Sequence, residues 1–505
     1  MKKKCLLLMM LSAAGLASVA QQPPISHLEI NNVYPTILGD GSCFVPQKES
    51  YDENGNPLPP NCPTWEVPAG SSKQTIFQHA LWFGGLDASD SLHIAAKRFG
   101  QMYGAFGWVD DYWSGPLTTV DGSIDMKTSM KFHHVWNLTR AEIDQFVANY
   151  GNAGYQIPED ILTWPAHGDD GYANNLAPFV DVNGDGRYNP TDGDYPDIKG
   201  DQCLFFIFND YREHTETAGT PINLEVHAMV YGFNSPNDEA LNNTVFVNYK
   251  FFNRSANNYH GTYLGLWTDW DLGYSWDDFV GCDVQRNSCF AYNGYPIDGN
   301  GEPNSYGDNW PVQVLTVLNG PDGLGMTGFM YHNNSSGIYG DPAIAPDYYN
   351  YLQSRWKDGS HLQYGAMGYP ISFNIWEGGE PTEIHIDPVG PECKFMFPGD
   401  TDPNNIGTGG IAPNDGYNTD GKYWTEEECF ENYSDLFPEY EYNPFGPGDR
   451  RGLASVGPFD FPAGGMKELD YAMITVWKNN SQSAMERKGE FIDHIKALFE
   501  NRFAK

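Results

Sequence analysis

Between Asp181 and Asp192 the chain reads DVNGDGRYNPTD, a twelve-residue stretch with oxygen-bearing side chains at alternate positions. A calcium loop offers oxygens from positions 1, 3, 5, 7, 9 and 12 and turns sharply at a glycine in position 6. Those positions fall on Asp181, Asn183, Asp185, the backbone carbonyl of Arg187, Asn189 and Asp192, with Gly186 at the turn. Asp, Asn and Gly also build ordinary solvated turns. An ordinary turn does not need this whole pattern, so the spacing predicts bound Ca2+. The loop departs from an EF-hand in two ways. Asp192 replaces the usual bidentate Glu, and Pro190 and Pro196 oppose a helix directly after it. Only one such loop is found, and CLFFIFND from Cys203 reads as a strand. The expectation is a structural staple between non-helical elements, neither a sensor nor a dockerin.

A second acidic cluster lies in WTDWDLGYSWDDFVGCD, which carries Asp269, Asp271, Asp277, Asp278 and Asp283. On a strand, Asp269 and Asp271 point to one face, and like charges that close need a cation, a proton or water between them. A second calcium site is the first reading. A solvated acidic turn is the bland one. A glycosidase pair is the third, and it needs two carboxylates on opposite sides of a sugar. Trp267, Trp270, Tyr274 and Trp276 interleave with these acids, which suits stacking on a glycan; the competing reading is that the rings fill a core. Gly399–Asp402 is a weaker acidic segment.

The histidines group as His133 with His134, His167 beside Asp169 and Asp170, and His214 near Glu216. None has a zinc spacing and HExxH is absent, so they read as strand or loop histidines. Asp169 or Asp170 is positioned to support the loop from outside. GxSxG, Walker A and a dinucleotide GxGxxG are missing too. No catalytic residue is assigned, and an enzyme is the less favoured class.

Short strands must hold these groups. Leu224–Phe233, Val245–Phe251, Thr262–Trp267, Val312–Leu318 and Met326–Tyr331 show period-two patterning between turn residues, which predicts a mainly β fold, a β-sandwich or jelly roll. A capping box at Thr139 and Glu142 opens a helix to about Tyr150. Phe491, Ile492, Ile495, Leu498 and Phe499 share one face of an amphipathic helix over 483–502, expected to dock on the sandwich or, alternatively, in a partner's groove. Residues 44–62 and 401–422 read as long surface loops. The organisation expected is a signal segment over 1–20, a β-rich region over 21–200 ending in the calcium loop, a sandwich region over 201–482 and a C-terminal helix over 483–505.

Lys2–Lys4, an apolar stretch from Leu6 to Val19 and Ser-Val-Ala before Gln21 form a secretory signal. Cys5 precedes the apolar stretch, so it is no lipidation cysteine. No later segment is apolar enough to span a membrane. The expected location is extracellular, cell-surface or periplasmic. Net charge is −37, from 29 basic and 66 acidic residues, a field that repels nucleic acid and anionic lipid. Aromatics make up 15%, which argues against a disordered acidic tail. Export permits disulfides. Proximity suggests Cys43–Cys62, Cys282–Cys289 and Cys393–Cys429, with Cys203 as a buried thiol.

LWFGGLD (81–87), WPAHGDD (164–170), the long segment from Asp181 to Asp210, HTETAGTPINLEVHAMVYGF (214–233), GLWTDWDLG…DDFVGCD (265–283), SRWKDG (354–359) and MFPGDTD (396–402) occur in this order. As a set they resemble a Bacteroidota family of large secreted proteins, many of them type IX secretion cargo. The resemblance implies an exported, β-rich surface or extracellular protein with no established activity. Family members often end in a C-terminal β-sandwich sorting domain. An amphipathic helix stands at that place here, which departs from the pattern and leaves passage through the outer membrane open. Three functions follow as expectations: a calcium-stabilised structural or binding protein, with a glycan or surface protein as partner; a secreted glycan hydrolase using Asp269–Asp283; and a component of an outer-membrane or secretion assembly.

Overall fold

The computed structural model describes residues 24–43, 64–99, 109–377, 380–388, 390–402, 424–436 and 443–503. The signal segment, Cys62 and nearly all of the two long loops lie outside the described residues. The fold is mainly β, with short helices and a C-terminal helix, Ala484–Leu498.

Two antiparallel sheets dominate. The nine-stranded sheet runs Asp278–Asp283, Ser288–Asn293, Val312–Asn319, Met466–Val476, Thr244–Asn253, Leu224–Gly232 and Gln202–Asn209, and the last of these also pairs with Trp113–Ser114 and Trp136–Thr139. The five-stranded sheet runs Gly328–His332, Arg450–Phe461, Tyr259–Trp270, Ile76–Leu86 and Leu92–Ala96. Strands from before residue 100 thus share a sheet with strands from after 250 and 450. All five period-two segments form strands, each within a few residues of its expected ends.

Alternation sorts the side chains into two cores. Leu204, Phe206, Phe208, Leu224, Val226, Ala228 and Val230 face the five-stranded sheet and pack with Phe83, Leu264 and Val456. Phe205, Ile207, Met229 and Tyr231 point the other way, into a layer built by helices and loops. Every residue of Leu224–Gly232 is buried, so this strand has no polar face turned to water. The reason is the second layer. Arg140–Asn149 contributes Ile143 and Phe146, and Ala484–Leu498 contributes Phe491, Ile492 and Ile495. Both helices carry the reciprocal capping box, at Thr139/Glu142 and at Ser483/Glu486. The C-terminal stripe packs on the Val312–Asn319 and Met466–Val476 strands. Fully burying an aliphatic or aromatic side chain contributes about 1.5–3 kcal/mol, so this helix is part of the domain, and its apolar face is taken up internally. On the far side of the five-stranded sheet, Ala345–Leu352 lays Tyr348, Tyr351 and Leu352 against it.

The disulfide expectation is corrected. Among the described residues no disulfide is formed. Cys282 and Cys289 stand opposite each other across a hairpin, yet the Cys282 Sγ donates to the Met396 carbonyl at 3.2 Å. Cys393 and Cys429 face different carbonyls, those of Phe395 and Ala366. Burial pushes the Cys282, Cys289 and Cys393 thiols up and keeps them protonated. Cys203 is a buried thiol in its strand, as read from the sequence. Among the described residues no helix is long and apolar enough to cross a membrane.

Candidate functional site

Three places carry the candidate residues. The first is the loop. Asp181 turns both carboxylate oxygens onto the loop's own backbone, accepting from Gly184 N and Gly186 N at 2.7 Å each. Asn183 Oδ1 accepts from Asp185 N and Asp185 Oδ1 from Arg187 N. Gly184 and Gly186 both have a φ of 77°, a left-handed conformation that side chains rarely adopt, which explains glycine at both positions. Asn189 caps the Pro190–Asp192 turn by accepting from Thr191 N, and its amide donates to Asp192 Oδ2 at 2.7 Å. Closure falls to Asp194, which the twelve-position count omits. Fully buried, it accepts from Val182 N and Asn189 N at opposite ends of the loop. The outside support comes from His167, whose Nε2 accepts from Tyr188 N while Nδ1 donates to the Asn174 carbonyl. Asp169 pairs with Lys131 and plays no part there.

The second place is an acidic centre at one end of the five-stranded sheet. The strand registers align His332, Arg451, Asp269 and Gln78 as one rung across four strands, on the face that also carries Trp267. Asp269 pairs with Arg451 and Trp270 with Arg450, so one further step in the same register sets Asp271 opposite Asp449. Ligand oxygens of Asp269, Asp271 and Asp449 lie within 4.8 Å of one another, the single such group of three among the described residues. Arg451 is shared. It reaches Asp269 Oδ2, Asp341 and Asp449 Oδ2, each at 3.3 Å, and lies over the Phe99 ring. Gln74 donates to Asp271 Oδ2 at 3.2 Å. Asp269 Oδ1, Asp449 Oδ1 and Gln78 Oε1 are buried with no hydrogen-bond partner. Burial, with Asp271 and Asp449 alongside, holds Asp269 far above the usual carboxylate range, and burial beside Asp449 raises Asp271 to about 8.

The other acids of the sequence cluster do not join this centre. Asp278 is buried and accepts from Leu272 N at 3.1 Å, and Asp283 pairs with Arg286 at 3.0 Å. Asp277 accepts from Gly299 N and belongs to the third place, an open cleft of about 600 Å³. Its lining includes Tyr274, Trp276, Asp277, Tyr295 and Ile297. Trp276 is 60% exposed, Ile297 58% and Tyr295 45%. Asp298 shapes the wall by accepting from Tyr274 N, and Asn304 donates to the Gly273 carbonyl. Burial, with Asp298 and Glu302 nearby, moves the Asp277 carboxyl up to about 6. Of the rings expected to stack on a glycan, Trp276 and Tyr274 line this cleft, and Trp276 is the one tryptophan there. Trp267 and Trp270 have no exposed surface, and Trp267 stacks on Trp82 and donates to His332 Nε2 at 2.9 Å. Strand alternation explains the difference: both lie inside a strand covered on two faces, whereas Trp276 lies in the loop beyond it.

His214 is buried, with both ring nitrogens 2.8 Å from backbone carbonyls, a structural role. His134 pairs with Asp160. Asp449, Arg451 and Gln78 had no local signal, being more than 170 residues from Asp269 in the chain. The one trace was Asp449-Arg450-Arg451 opening an apolar strand, where charges require opposite partners; Arg450 finds Glu426 at 2.6 Å and Arg451 finds Asp269. Compared with known proteins, the chain matches no family model and no curated protein.

Proposed function

We propose that the chain is an exported, calcium-stabilised β-sandwich protein of the bacterial cell surface or extracellular space, and that it binds a glycan in the Trp276 cleft without cleaving it. The observation that carries this reading is the cleft's composition: exposed Trp276, Tyr295 and Ile297 on its rim, and Asp277 as its one lining carboxyl. Flat ring faces take the C–H faces of a sugar, and a carboxylate accepts its hydroxyls. Hydrolysis needs a second carboxylate about 5–9.5 Å away across the sugar, and the acids beside Asp277 are engaged by backbone N–H groups, Asp298 by Tyr274 and Tyr306 and Glu302 by Asn300. Asp269 and Asp271 instead converge with Asp449 on one point, where a cation fits better than a sugar. The signal segment, the acidic composition and the resemblance to secreted Bacteroidota proteins support export. The Asp181–Asp192 loop is the calcium staple of this reading; Asp194 closes it on itself, and Tyr188, whose hydroxyl donates to the Ile161 carbonyl, ties it to the helical layer. The buried Phe491–Ile495 stripe gives no support to a docking role in a secretion assembly.

A glycan array and a hydrolysis screen, each run with calcium and with chelator, test the reading. Binding to one glycan class, weakened at least about tenfold by Trp276→Ala and without product release, is expected; a tenfold loss corresponds to about 1.4 kcal/mol, within the range of one stacking contact. Product release would move the chain to the hydrolase class, and an empty array would remove the glycan.

A further inference from the structure

We propose that Asp269, Asp271 and Asp449, joined by the side-chain oxygen of Gln78, form a second hard-cation site, for calcium, that clamps the ends of the two central strands of the five-stranded sheet. It is separate from the Asp181–Asp192 loop and from the cleft, and requires neither.

Strand register assembles it. Asp271 and Asp449 continue the antiparallel pairing of Tyr259–Trp270 with Arg450–Phe461, and like charges directly opposite across a strand pair are destabilising. Asp269, two residues before Asp271, adds a third carboxylate on the same face. The one guanidinium in reach does not answer them. Arg451 contacts the Oδ2 atoms of Asp269 and Asp449 at 3.3 Å, longer than the 2.7–2.9 Å of a good charge-assisted bond, and it is also drawn to Asp341. His332, which ends the rung, is held neutral by burial and turns Nδ1 toward Asp341.

Beyond the cluster of acids, a second observation points to a ligand. Asp269 is 3% exposed and its Oδ1 has no partner; Asp449 Oδ1 is likewise buried and unpartnered. On the other side of Asp269, Gln78 is fully buried, and its amide nitrogen donates to the Arg98 carbonyl at 2.7 Å while its oxygen is unpartnered. A buried acceptor left without a donor costs about 1–3 kcal/mol, so three in one rung and its extension call for a common partner. An electropositive ion serves all of them. Ligands about 2.3–2.6 Å from one calcium ion stand no more than about 5.2 Å apart, and the three carboxylate oxygens, all within 4.8 Å of one another, meet that limit. Bidentate carboxylates and water complete a shell of six to eight oxygens.

Calorimetric titration of the full chain with CaCl2, in a background of Asp181→Ala and Asp185→Ala that disables the loop, tests the site. One ion is expected to bind, with a melting temperature that rises in calcium and returns in chelator. Adding Asp449→Asn, nearly isosteric, is expected to weaken binding at least about tenfold. Gln78→Glu is expected to do the opposite, tightening calcium several-fold while lowering the calcium-free melting temperature, because it adds a fourth carboxyl to the cluster. No binding in the loop-disabled chain, or binding undiminished by Asp449→Asn, would overturn the site. If Asp449→Asn does not fold, Gln78→Glu decides: tighter calcium supports the site, and equal or weaker calcium overturns it.

Discussion

The Asp181–Asp192 loop and the Asp269–Asp449 centre are both rich in carboxylates, and they are built in opposite ways. The loop is contiguous and largely exposed, and its acids accept from the loop's own backbone N–H groups. The centre draws on three strands more than 170 residues apart, lies at the end of a covered sheet, and leaves oxygens of Asp269 and Asp449 without partners. Local turn chemistry can satisfy an exposed acid without help. A buried acid has only what the fold brings to it, so an unanswered oxygen there is far more informative than one in a loop.

The largest expected effect breaks the centre. Arg451→Met removes the guanidinium shared by Asp269, Asp341 and Asp449 and is expected to cost about 3–5 kcal/mol in chelator, read from urea unfolding. Millimolar calcium should restore part of that loss. A cost below about 1 kcal/mol would mean that the centre behaves like an exposed ion pair, and the contrast with the loop would disappear.

Calcium should act next in size. An ion that binds only the folded chain, at 100 times its dissociation constant, adds about 2.7 kcal/mol. Asp181→Ala with Asp185→Ala is expected to remove the loop's share of the calcium-dependent rise in melting temperature and to leave the remainder. A wild-type melting temperature equal in calcium and chelator would defeat both sites.

Acid sharpens the comparison through a buried carboxylate that is fully answered. Glu225 is buried, which alone would raise it, but His227 and Arg254 at 2.8 and 2.7 Å hold it down at about 2. Its unfolded value, about 4.3, is higher, so the unfolded chain binds the extra proton. The stability it contributes is complete above about pH 4.3 and lost as pH falls toward 2. Glu225→Gln should flatten that part of the melting-temperature profile, and an unaltered slope would show that the pairing adds nothing.

The smallest effect is a control on the helical layer. Ser483→Ala removes the cap of the C-terminal helix and should cost about 1 kcal/mol, equally with and without calcium.

What the sequence revealed depended on how local the cause was. Leu224–Gly232 and Thr244–Asn253 were legible because alternation marks the face turned to the sandwich core, and the Thr139/Glu142 capping box was legible because it spans only four residues; the Ser483/Glu486 box was not read. The loop could be counted out position by position, although its closure by Asp194 depends on a fold back to Val182 that spacing does not register. Asp269 and Asp271 were visible as a pair. Asp449 and Gln78 were not, since register is set by whole strands and sheet order. Trp267 and Trp276 looked alike in the sequence and separated only once strand and loop were distinguished.

Native mass spectrometry of the chain from calcium-containing buffer counts the ions themselves. Two calcium ions per chain are expected, one lost with Asp181→Ala and Asp185→Ala and the other with Asp449→Asn. A chain that carries no ion at millimolar calcium would contradict both sites.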